Sequence, residues 1–170
     1  MNILNDILDV SKIEAGKLEL DAVPFRPVEI ARRVESLHTN RAQEKGISFA
    51  VMTGRGAEIE RIGDPHRIHQ VLQNLVSNAI KFTEQGEVTV TVRGGAQGGP
   101  LVIEVQDTGI GMTEAQTARI FEDFVQADNS TSRRFGGTGL GMAIVRKLIE
   151  AMQGEVALES RSGRGTRVRV

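Results

Sequence analysis

Apolar residues recur along this chain at two different spacings, and the change from one to the other outlines its elements. Ile3/Leu4, Ile7/Leu8, Val10 and Ile13 recur at helical spacing and stop near Gly16. The stripe starts without a cap, as expected for the end of a longer helix. Pro24 and Pro27 mark a connector, and Val28, Ala31, Val34, Leu37 and Ala42 predict a second amphipathic helix ending at Gly46. A spacing of two then takes over in Ile47, Phe49 and Val51, which predicts a half-buried strand, with a short second strand near Ile59 to Ile62.

Asp64 followed by Pro65 is a strong helix start, an N-cap carboxylate before a residue whose φ is already helical. Ile68, Val71, Leu72, Leu75, Val76 and Ala79 form the stripe of that helix. "EVTVTV" and "LVIEVQD" predict two strands joined through "RGGAQGGP". A short helix is predicted near Glu114 to Phe121, and the polar, poorly periodic stretch up to Gly137 predicts a mobile loop. Thr138 to Met152 reads as a glycine-led helix, and "EVALES" and "TRVRV" as closing strands around the turn "RSGRG". The last of these reaches Val170 with no turn or cap, as expected of a truncated end. So many strands need a helical layer to cover one face, so the expected fold class is α/β, a two-layer sandwich of a mixed sheet with helices on one face, preceded by a helical stub.

Composition narrows the function classes. The chain has 170 residues, enough to bury a real core, with 39% hydrophobic and 25% charged residues. A net charge of -1 argues against a polyanion-binding surface, so nucleic acid is not an expected partner. The absence of cysteine excludes disulfides and thiolate metal sites. His38, His66 and His69 are the only histidines; the last two stand three apart with no third ligand nearby, and a solvated helix face accounts for them. No run of 18 apolar residues occurs, and Asp6 and Asp9 interrupt the first segment, so neither a membrane span nor a secretion signal is read.

Three stretches carry chemistry. On the helix opened by Asp64, Asn74 and Asn78 lie four apart on one face, with Lys81 three further on. Carboxamide oxygens are hard neutral ligands suited to a Mg²⁺ that already has phosphate oxygens around it, and lysine would meet the phosphates. The bland alternative is a pair of helix asparagines with local hydrogen bonds. The second stretch is "DTGIG". Asp107 ends an apolar strand, where its carboxylate needs a donor, and an adenine amino group is one. Guanine would present a carbonyl at the same edge and be repelled. Gly109 and Gly111 would let a base lie against backbone, although D-x-G-x-G also describes an ordinary turn. The third stretch is "FGGTGLG", with Gly136, Gly137, Gly139 and Gly141 at a helix entrance. Such glycines suit either a hinge or an anion approaching free N–H groups. The string matches neither the P-loop nor the dinucleotide fingerprint. Arg133 and Arg134 precede it as candidate phosphate donors.

Taken in order, N-x-x-x-N-A-x-K-F, D-x-G-x-G, Phe121 with Phe124, "GGTGLG" and "GRGT" resemble the N, G1, F, G2 and G3 boxes of the catalytic and ATP-binding domain of sensor histidine kinases. The resemblance covers about residues 27–170; residues 1–22 look like the end of that family's second dimerisation helix, of the type found in kinases that often carry receiver domains. It implies the Bergerat-type ATP-binding fold, with ATP and Mg²⁺ as cofactors. Asn78 and Asn74 would hold the metal and Lys81 would reach phosphate. Asp107 would bind the adenine amino group, with Gly109 and Gly111 lining the base. Gly137, Thr138, Gly139, Leu140 and Gly141 would cradle phosphates, and Gly163, Gly165 and Thr166 would close the far side. Residues 112–137 would form an ATP lid, with Met112 and Arg134 among the nucleotide contacts and Phe121 and Phe124 as anchors.

Two departures sharpen what the resemblance implies. Type II topoisomerases, mismatch-repair ATPases and the ninety-kilodalton chaperones share this fold but place a glutamate base four residues before the magnesium asparagine. Here that position is Asn74, and an amide cannot activate water well. Phosphoryl transfer is therefore expected over hydrolysis, with a hydrolase or a non-catalytic nucleotide-sensing module as alternatives. No "H-E-x-R"-like box surrounds His38, His66 or His69, so the phosphoacceptor histidine lies elsewhere and the chain should not phosphorylate itself. The implied partners are the dimerisation helices of its own parent, itself a homodimer, and a response-regulator receiver domain. A cytoplasmic location is implied, with no membrane contact by this segment.

Overall fold

The computed structural model describes residues 8, 11–13, 15–95, 99–122 and 139–170. Leu8 and residues 11–13 are helical, and Ile13 and Leu18 pack against the core. The remaining elements are β1 (Val23–Phe25), α1 (Pro27–Lys45), β2 (Ser48–Thr53), β3 (Arg61–Gly63), α2 (Pro65–Phe82), β4 (Glu87–Gly94), β5 (Leu101–Asp107), α3 (Glu114–Arg119), α4 (Gly141–Ala151), β6 (Ala157–Arg161) and β7 (Gly165–Arg169).

Five strands form one mixed sheet in the order β2-β4-β5-β7-β6. β2 and β4 run parallel, which requires a crossover, and α2 lies in it. The other three pairings are antiparallel, β4 with β5, β5 with β7 and β6 with β7. Alternate residues of the central strands, Val88, Val90 and Val92 on β4 and Ile103 and Val105 on β5, point into the core. The helices cover that face, with α2 packed on both α1 and α4. Leu72, Ile80, Ile144 and Leu148 are fully buried between the layers, each contributing about 1.5–3 kcal/mol relative to exposure. The expected two-layer architecture is what is observed.

Local signals worked as their chemistry requires. Asp64 caps α2 by accepting the Arg67 N–H at 2.9 Å, with Pro65 in the first turn, and Gly46 ends α1 in the left-handed conformation.

Three expectations need correction. The connector expected at Pro24 contains a strand, because β1 pairs antiparallel with β3 in a separate two-stranded sheet; Pro24 is tolerated there because each strand has a free edge. The strand expected from Ile59 lies two residues later, at Arg61–Gly63. The glycine-led helix starts at Gly141 rather than Thr138, since Gly139 has φ +74 and cannot be a helical residue. The expectations for Ile3, Leu4, Ile7, Val10, Phe124, Arg133, Arg134, Gly136, Gly137 and Thr138 lie outside the described residues, as does most of the expected lid.

Candidate nucleotide-binding site

One end of the site is assembled from three chain segments around Asp107. Asp107 is the last residue of β5 and pairs in register with Thr166 of β7, which in turn pairs with Ser160 of β6. Its Oδ1 accepts from the Gly109 N–H at 2.8 Å and from the Thr166 N–H at 3.2 Å. Among the described residues, Oδ2 accepts nothing. Burial pushes the Asp107 carboxyl above its ordinary value, and the two backbone donors partly offset this. The group is 9% exposed, so a ligand donor reaching Oδ2 would meet an acceptor already stripped of most of its water.

The "DTGIG" turn is sewn to the "RSGRG" turn. Gly163 donates to the Ile110 carbonyl at 2.7 Å, and Met112 donates to Ser160 Oγ at 2.9 Å. Gly111 has φ +60, and a side chain there would collide with the Arg161 carbonyl, so glycine is required twice over. Gly109 faces the Phe82 carbonyl and Asp107 Oδ1 too closely for a Cβ, and Ile110 donates to that same carbonyl at 3.2 Å. The end of α2 is thereby fixed against the Asp107 turn. Asp107, Ser160 and Thr166 line an open cleft of about 920 Å³ that continues between α3 and the β6–β7 turn.

The other end lies between α2 and α4. Asn74 is nearly enclosed, at 3% exposed, and Asn78 is half-buried. Both face the first residue of α4. A Cβ on Gly141 would stand 3.5 Å from Asn74 Oδ1 and 3.7 Å from Asn78 Nδ2. The N-cap residue Leu140 has no side chain able to cap α4, and the positive end of the helix faces the asparagines. Leu140, just before it, is buried and anchors the helix start. Lys81 places its Nζ 4.7 Å from the centre of the Phe82 ring, and burial followed by the nearby Arg41 guanidinium lowers its pKa. Lys45 closes the end of α2 by donating to the Ile80 and Lys81 carbonyls at 2.6 and 2.7 Å.

The structure brings Asn74, Asn78 and Gly141 together at one end and Asp107, Gly109, Gly111, Met112, Gly163, Gly165 and Thr166 together at the other; sequence reading assigned all of them to one ligand, with Gly163, Gly165 and Thr166 on its far side. It missed Ser160 and Lys45. A serine in a strand and a lysine at a helix end carry no local signal, and the contacts that tie them to the site are distant in sequence, the Met112 amide 48 positions from Ser160 and the Lys81 carbonyl 36 from Lys45. Of the histidines, His66 is exposed as a solvated helix face requires, whereas His38 and His69 are not on one. His38 is 7% exposed, and both of its ring nitrogens and His69 Nδ1 are buried without a hydrogen bond. Among the described residues no cluster of three or more His, Asp or Glu could hold a metal ion by itself, and no helix is long and apolar enough to cross a membrane.

Comparison with known proteins agrees with this geometry. Signal transduction histidine-protein kinase BarA of Escherichia coli K12 is 41% identical over 167 residues, covering 96% of this chain and 18% of BarA. Full-length ShkA in complex with AMPPNP superposes with a TM-score of 0.83 at 37% identity, over 97% of this chain and 34% of that one. The catalytic domain of histidine kinase ThkA matches with a TM-score of 0.73 at 29% identity, over 89% of this chain and 93% of that domain. The chain thus spans less than a fifth of the curated relative it matches. Residues 63–170 fit the model of the histidine kinase-, DNA gyrase B- and HSP90-like ATPases, and the chain belongs to that family.

Proposed function

We propose that this chain binds Mg-ATP between α2, the Asp107 turn and the start of α4, and serves as the kinase domain of a two-component sensor histidine kinase. The observation that carries the reading is the pair of ends just described, an acceptor-only carboxylate at one and the start of a helix facing two carboxamides at the other. The histidine kinases named above, one of them holding AMPPNP, support the same reading.

Asp107 Oδ2 accepts the adenine amino proton, and Thr166 flanks it. Gly109 and Gly111 leave room for the ring against backbone. Lys81 and the first N–H groups of α4 meet the phosphates, joined by Gly139, Leu140 and Gly141 and, outside the described residues, by Arg134, Gly137 and Thr138. Asn78 and Asn74 would hold Mg²⁺. Their neutral oxygens fit a metal that brings phosphate oxygens with it and do not fit a free ion. Bound there, the metal would neutralise charge on the phosphates.

The reaction is transfer of the γ-phosphoryl group. The bond between γ-phosphorus and the bridging oxygen breaks, a bond to an imidazole nitrogen of a histidine outside this chain forms, and ADP leaves. An aspartate of a receiver domain then takes the group. Positioning and electrostatics carry the catalysis. Asn74 stands where the hydrolases of the fold place a glutamate, and an amide is too weak a base to activate water.

The test is calorimetry with AMPPNP on the native chain and Asp107→Asn, followed by incubation with labelled ATP and a histidine-bearing dimerisation fragment. Binding weakened by Asp107→Asn and acid-labile label on the histidine support the reading. Steady phosphate release without transfer would favour a hydrolase, and binding with neither reaction a nucleotide-sensing module.

A further inference from the structure

Resting on the nucleotide reading, we propose that Ser160 is a positioning residue that holds the Thr166 hydroxyl as a hydrogen-bond acceptor and thereby sets the base preference of the cleft.

Three groups surround Ser160 Oγ: the Met112 N–H at 2.9 Å, the Gly165 carbonyl at 3.0 Å and Thr166 Oγ1 at 2.9 Å. A serine hydroxyl has one proton and two lone pairs. The Met112 amide can only donate, so it occupies one lone pair. The Gly165 carbonyl can only accept, so it takes the single proton. The contact with Thr166 is then satisfied in one sense alone, with Thr166 donating to Ser160.

The Thr166 proton is thereby committed away from the cleft, leaving Thr166 Oγ1 with only lone pairs to offer. Beside it, Asp107 has Oδ1 engaged by the Gly109 and Thr166 amides and Oδ2 left for a ligand. Asp107, Thr166 and Ser160 form one cross-strand row, and all three line the cleft. Its floor therefore presents two acceptors side by side and no donor from either. A purine edge bearing an amino group is favoured there, and one bearing a carbonyl is repelled.

Without the Ser160 hydroxyl, Thr166 is free to rotate and donate to a carbonyl. Preference would fall while the carboxylate stays in place. ATP and inosine triphosphate make the comparison direct, since at that ring position one carries an amino group and the other a carbonyl.

The experiment measures dissociation constants for both nucleotides by calorimetry on the native chain, Ser160→Ala, Ser160→Thr, Thr166→Val and the Ser160→Ala/Thr166→Val double variant. Ser160→Ala should narrow the preference for ATP by about three- to tenfold, the worth of one hydrogen bond. Ser160→Thr should restore it, and in the Thr166→Val background Ser160→Ala should change it no further. If Ser160→Ala folds poorly by its thermal melt, Ser160→Cys, with a weaker donor and acceptor, reads the same ratio. An unchanged ratio in Ser160→Ala or Ser160→Cys, or equal weakening of both nucleotides, overturns the proposal. A native chain that binds neither nucleotide, or a preference insensitive to Asp107→Asn, overturns the nucleotide reading beneath it.

Discussion

Gly141 opens α4 directly against Asn74, with room for a side-chain carbon 3.5 Å from the Asn74 Oδ1. That spacing is ordinary van der Waals contact. The glycine is therefore not demanded by packing, and its backbone is not in the left-handed region. What it keeps open is the gap between the carboxamides and the first N–H groups of α4.

Gly141→Ala separates folding from binding. Alanine is favoured over glycine in a helix by about 1 kcal/mol, so the thermal midpoint should hold or rise. AMPPNP affinity should fall by about tenfold or more as the added methyl takes up space beside the phosphates. Differential scanning calorimetry and binding calorimetry on the same preparation check both halves, and a less stable variant with native affinity would contradict the argument.

Asp107 predicts an acid limit on binding. Its pKa is raised above 3.8 by burial, and only the ionised group accepts at both oxygens. Affinity for AMPPNP should fall as pH drops, beginning above the ordinary carboxylate range, and Asp107→Asn should remove this component. The stability sign is opposite. A raised folded-state pKa means the folded chain holds the proton more tightly, so this group's contribution is most favourable below 3.8 and is lost as pH rises through the folded value. Denaturant titrations of the native chain and Asp107→Asn across that range should show it as a difference in slope.

His38 and His69 predict a separate loss of stability in weak acid. His38 lies on α1, edge-on to Phe49 with ring centroids 6.4 Å apart. Burial, then Arg41 and His69, lowers its pKa; burial, then Arg33 and His66, lowers that of His69. Folded-state values below 6.5 mean the unfolded chain takes up protons first. Their contribution is present above 6.5 and is lost as pH falls through the folded values. His38→Leu removes two unpaired buried nitrogens, and the variant should lose less stability than the native chain between neutral pH and weak acid. Urea unfolding at both conditions checks this; equal slopes would show that His38 does not titrate with unfolding.

Much of this molecule is local, and the local part is legible in the chain. Asp64 and Pro65 start α2, the alternating valines of β4 specify a half-buried strand, and the spacing of Asn74 and Asn78 puts two carboxamides on one helix face. Each rests on residues within one or two turns, where covalent geometry and period fix the outcome. β1 was hidden because three residues around a proline have no periodicity, and their partner β3 lies about forty positions away.

What the sequence determined, then, is the set of elements, the layer each apolar stripe must join and the family to which the glycine and asparagine spacings belong. Tertiary structure alone decided which polar atoms are spent and which remain free. The Thr166 amide reaches Asp107 across 59 positions and the Met112 amide reaches Ser160 across 48. Side-chain period says which face a residue takes, whereas hydrogen-bond direction depends on every donor and acceptor that folding brings within 3 Å or so. That is why Asp107 was visible from the chain and the acceptor row built on Ser160 was not.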